Sequence, residues 1–70
     1  MAKVAKVIEL VGESTQSWED AVQSAVAEAS RTVHGITGVE VTNWTAGVQN
    51  GKISEYKVDV KVAFGVDPNR

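Results

Sequence analysis

The chain has 70 residues, with seven basic and nine acidic side chains and a formal net charge of -2. That length allows one domain at most, and a chain so short buries only roughly 60% of its unfolded surface. It holds no cysteine and a single histidine, His34, which excludes disulfides, thiolate metal sites and a His-rich zinc centre within one copy. Association with further copies is then the leading way to gain buried area. The slight acidity argues against nucleic acid, which needs a basic face. No apolar run approaches the ~20 residues of a membrane span, and the start of the chain lacks the apolar segment of a secretory signal. The expectation is a cytoplasmic protein that binds neither membrane nor nucleic acid.

Residues 3–11, KVAKVIELV, combine β-branched and leucine side chains with isolated charges, the composition of a strand. Gly12 marks its expected end. A polar connection, residues 13–17, leads to a helix start. Ser17 stands three positions before Asp20, the spacing of a capping box. Glu19 and Asp20 then lie at the positive end of the helix dipole.

From Trp18 the apolar period is helical. Trp18, Ala21, Val22, Ala25, Val26, Ala29 and Val33 fall on one stripe, while Gln23, Glu28 and Arg31 fall on the other face. The stripe is mostly alanine and valine, so another element can approach closely. The expected helix runs over 17–34, with Arg31 and His34 at its carbonyl end and Gly35 in the left-handed position after it. Packing is the expected role of Trp18, and a dipole contact that of His34.

The period changes to two at Thr37, giving a strand over 37–48. Asn50-Gly51 follows, the strongest short hairpin signal, since both residues tolerate the positive φ of a type I′ turn. A last strand over 52–64 places Tyr56, Val58, Val60, Val62 and Phe64 on one face. Glu55, Lys57, Asp59 and Lys61 take the other, where cross-strand pairing in a solvated face is the expectation. Residues 67–70 are expected to fray. The predicted fold is α+β: a two-layer βαββ domain spanning 1–70, ordered over about 3–65. Its three-stranded antiparallel sheet has order 1-3-2 and one helix on its apolar face, because a crossover brings the second strand back parallel to the first and leaves a gap for the third.

Several segments together resemble the dodecin family. They are KVIELVGES at the first strand, SWEDAV at the helix start, GVEV at residues 38–41, the Asn50-Gly51 turn and the closing EYKVDVKVAF. No one of them is sharp, but their order and spacing cover residues 3–65. The resemblance implies a homo-oligomer, a hollow dodecamer assembled from trimers. It implies storage or buffering of flavin (riboflavin, FMN or FAD) stacked between tryptophans of neighbouring subunits, or in some members an association with calcium.

The flavin-pocket positions are then Gly38, Glu40 and Lys57 by the same resemblance, with Trp44 added from its place on the same strand. The family's stacking tryptophan falls at Gly38, two residues before Glu40, and its ring-contacting glutamine at Lys57. Glycine offers no π-face. Lysine donates hydrogen bonds but accepts none. Trp44 shares the strand parity of Gly38, so it is expected on the same face, about 20 Å along an ideal strand. In an assembly it either lines an interface or reaches a neighbour's pocket. A calcium site needs several oxygens at once, and no acidic loop motif supplies them, so such a site would be shared between subunits. No nucleophile elbow, P-loop or dinucleotide fingerprint occurs, and no enzymatic activity is expected.

Overall fold

The computed structural model describes residues 4–66. Its elements are β1 (Val4–Ser14), α1 (Trp18–Ser30), β2 (Ile36–Gln49) and β3 (Lys52–Val66). The expected frayed tail lies outside the described residues.

β3 carries the strictest alternation and becomes the central strand of a sheet of order β1-β3-β2, antiparallel to both neighbours. This is the predicted βαββ topology. The β1–β3 ladder runs without a shift from Val4 opposite Val66 to Ser14 opposite Tyr56. The hairpin closes in two residues, Asn50 at φ 53° and Gly51 at φ 75°, both in the left-handed region that a type I′ turn requires.

Burial follows from this register. Val58, Val60 and Val62 sit under Ala21, Ala25 and Ala29 of the helix, and these six form the buried core. Alanines spaced by four present a smooth ridge, so α1 lies close to the sheet. Gly12 extends that logic. β1 does not end there but runs two residues further. A Cβ at position 12 would overlap the Ala21 carbonyl oxygen and come within 3.2 Å of the Ala25 Cβ. Gly12 is therefore a close-approach residue inside a strand rather than a strand terminator.

The helix begins as its spacing predicts. Ser17 Oγ accepts from the Asp20 backbone N–H at 3.0 Å, and Ser17 O from Ala21 N–H at 3.1 Å. The Asp20 carboxylate accepts from the buried Ser14 hydroxyl at 2.6 Å, and Ser14 Oγ accepts in turn from Gln16 N–H. The end of β1 and the first turn of α1 are thus stitched by one hydroxyl.

The helix end differs from expectation. α1 stops at Ser30, four residues short of His34. Ser30 Oγ donates back to the Val26 carbonyl at 2.8 Å, a competing bond that weakens the last turn, and the next residues include β-branched Thr32 and Val33. N–H groups of residues 31–33 close the final carbonyls of Glu28 and Ala29. No basic side chain lies in the last turn, so His34 makes no dipole contact. Gly35, at φ 78°, turns the chain into β2, and its carbonyl accepts from Gly65 N–H at 3.3 Å.

The proportions are unusual for so small a chain. A 13-residue helix is about 20 Å long, whereas the 15-residue β3 extends for about 50 Å. The described residues span 54 × 20 × 13 Å with a radius of gyration of 14.7 Å, against about 11 Å for a compact chain of this length. The helix cannot cover the sheet. The β2–β3 hairpin extends past its N-terminus, and the sheet's second face is open.

Candidate functional site

The residues out of step with Val58, Val60 and Val62 point away from the helix. The two ladders set them in rows across the open face: Val7–Ala63–Gly38, Glu9–Lys61–Glu40, Val11–Asp59–Asn43 and Glu13–Lys57–Thr45. Apolar and charged rows therefore alternate. Val7 and Val11 are more than half exposed, an open apolar surface on a face that also carries a lysine flanked by two carboxylates.

Over the first two rows lies a depression of about 210 Å³, lined by Val7, Gly38, Val39, Glu40, Lys61 and Ala63. Gly38 shapes it by lacking a side chain. A Cβ there would meet no atom within 4 Å, so the backbone does not require glycine for lack of room, and no neighbouring side chain fills the space. Val7, Gly38, Val39 and Ala63 make most of its lining apolar, and Lys61 and Glu40 add hydrogen-bonding groups of opposite sign. That arrangement suits a planar ligand with polar edges.

The four positions expected to form the pocket divide three ways. Gly38 and Glu40 line the depression. Lys57 shares the open face but stands four residues from Lys61, about 13 Å along the strand. Its ammonium lies 3.6 Å from Glu55 Oε1, an exposed pair of small energetic weight.

Trp44 is on the opposite face, which corrects the parity expectation. Val41 pairs with Val60 and Asn43 with Asp59, leaving Thr42 as the extra residue of a bulge. One inserted residue inverts every later side chain, so Trp44 pairs with Val58 on the helix side. The bulge is held locally, with Thr42 Oγ1 donating to the Asp59 carbonyl at 3.2 Å and Asn43 Oδ1 accepting from Trp44 N–H at 3.0 Å.

On the helix side Trp44 joins an aromatic cluster. Trp18 meets Trp44 edge to face at a centroid distance of 6.2 Å, and Tyr56 likewise at 4.8 Å. Trp18 Nε1–H donates to the Thr45 carbonyl at 2.9 Å. Trp18 is therefore a packing residue, as its place on the stripe predicts.

Val7 and Ala63 line the depression without having stood out as site residues, and Lys61 was expected first as part of a solvated charged face. Their signal is the register of two ladders, which brings them beside Gly38 from strands far apart in sequence. Among the described residues no three His, Cys, Asp or Glu side chains gather as a metal site within one copy. No described helix is long and apolar enough to cross a membrane.

The dodecin family model matches residues 4–67. The chain belongs to the dodecin family. It is 34% identical over 67 residues to a dodecin of Thermus thermophilus, covering 96% of this chain and 97% of that one. A crystal structure of a Thermus thermophilus protein superposes with a TM-score of 0.89 at 33% identity, over 94% of this chain and 97% of the other. The dodecin of Streptomyces coelicolor gives 0.87 at 29% identity, over 93% of each chain. A Mycobacterium tuberculosis protein, described as a calcium-chelating immunodominant antigen and calcium dodecin with a novel calcium-binding site, gives 0.78 at 35% identity over 96% of each. The three-stranded sheet and single helix of this chain are the dodecin fold.

Proposed function

We propose that this dodecin is a single-domain, non-enzymatic binding and storage protein that works in the cytoplasm as a homo-oligomer. Family membership supports a dodecamer built from trimers as the assembly and flavin (riboflavin, FMN or FAD) as the ligand. The observation that carries the reading is the open face. An apolar row beside Lys61 and Glu40 is exposed to solvent on a chain too thin to bury its own sheet. Two such faces brought together would sandwich a planar ring.

The same face sets the strength of binding. With glycine at position 38 there is no indole to stack on a ring. Loss of one stacking platform costs roughly 1–3 kcal/mol, or about tenfold or more in affinity. Lys57 is engaged with Glu55 and stands beyond the depression, so it does not compensate. The expected protein holds flavin loosely.

Calcium is the second reading. It is favoured by the 35% identity to the calcium dodecin of Mycobacterium tuberculosis. One copy does not supply the several oxygens that calcium takes, so such a site would be completed by a second subunit.

A flavin titration separates the two. Quenching of riboflavin or FMN fluorescence that saturates at micromolar to submillimolar concentration supports the flavin reading. No quenching by an intact oligomer contradicts it, and a melting temperature raised by calcium and lowered by a chelator then supports the second.

A further inference from the structure

The charged side chains of the described residues are not spread evenly. The open face carries Glu9, Glu13, Glu40, Glu55 and Asp59 against Lys57 and Lys61, an excess of three carboxylates on a chain whose formal net charge is -2. The other described cations lie away from this face. Lys6 pairs with Phe64 and shares the helix-side parity of Ile8 and Leu10. Arg31 follows the helix and pairs with Glu28 at 3.2 Å. Lys52 pairs with Gln49 at the hairpin tip.

Both lysines on the face stand beside carboxylates. Lys61 is in register with Glu9 on one side and Glu40 on the other. Lys57 is in register with Glu13, and its ammonium lies 3.6 Å from Glu55 Oε1. Asp59 lies between the two lysines on β3, opposite Val11 and Asn43, so its row holds no cation. Lys61 lines the depression, but the carboxylates around it outweigh its charge. The rest of the lining is mostly apolar, and such walls focus the field of the charges beside them.

We infer that the open face selects its ligand by charge: the depression takes a planar ring that is uncharged or cationic and disfavours one that carries a phosphate. The inference rests on the flavin reading and narrows it to riboflavin over FMN and FAD. A phosphomonoester carries about -1.5 to -2 charges at neutral pH. The surplus carboxylates repel it over a range set by the Debye length, about 10 Å at 0.1 M salt. An uncharged ring escapes that cost. Its polar edges find a donor in Lys61 and an acceptor in Glu40.

Fluorescence-quenching titrations of the wild-type protein with riboflavin and with FMN, each at low and at high salt, test the selection. Riboflavin is expected to bind on the order of tenfold more tightly than FMN at low salt. Added salt is expected to narrow that gap, because only the phosphate feels the screened field; riboflavin is the control for any effect of salt on burial of the ring. Glu9→Gln combined with Asp59→Asn changes two positions of this face outside the lining of the depression. The pair is expected to raise FMN affinity several-fold and leave riboflavin affinity unchanged. FMN binding at least as tightly as riboflavin at low salt, or a gap that salt leaves unmoved, overturns the selection while the flavin reading stands. Binding of neither flavin overturns the flavin reading and the selection with it.

Discussion

The two faces of the β1-β3-β2 sheet are built from alternate residues of the same strands and behave as different materials. On the helix side, Val58, Val60 and Val62 are sealed under an alanine ridge. One position out of step, Asp59 and Lys61 stand among solvent-exposed valines and carboxylates. The first face is packed to the point where Gly12 cannot carry a methyl group without moving the helix. The second has space at Gly38 that nothing fills. Stability is therefore concentrated on one side, and the other is free to vary. Two glycines, one obligatory and one optional, mark the difference.

That contrast can be broken by substitution. The largest effect is expected from Gly12→Val, which drives two methyl groups into the Ala21 backbone. Overpacking of this kind costs about 3 kcal/mol or more, read as a lower urea midpoint. Val60→Ala empties part of the sealed core without a clash and should cost about 2–3 kcal/mol. Lys61→Ala, on the open face, should leave stability within about 0.5 kcal/mol of wild type yet weaken binding of a planar ligand at the depression. If Lys61→Ala destabilises as much as Val60→Ala, the two faces are not separate in the way described.

Much of the fold was legible in the chain because its local signals agree with one another. The Ser17 cap, the alanine stripe, the Asn50-Gly51 turn and the alternation of β3 each point to the same βαββ order, and the structure follows them. Legibility failed where a position depends on contacts distant in sequence. Gly12 resembles a strand terminator until the helix is laid across it. The helix was expected to reach His34, but a serine that bonds back to Val26 ends it at Ser30.

Trp44 shows the limit most clearly. Counting by twos places it with Gly38, but Thr42 forms a bulge that no turn residue announces, and the indole moves to the other face. The candidate site was half legible for the same reason. Gly38 and Glu40 lie close in sequence, while Val7 and Lys61 join them only through register.

The mass of the purified protein at micromolar concentration tests the central claim most directly. The account predicts a closed assembly of about twelve times the 7.5 kDa chain, because a thin sheet with an open face and an uncovered apolar hairpin reaches stability by association. A folded, stable 7.5 kDa monomer under the same conditions would contradict it.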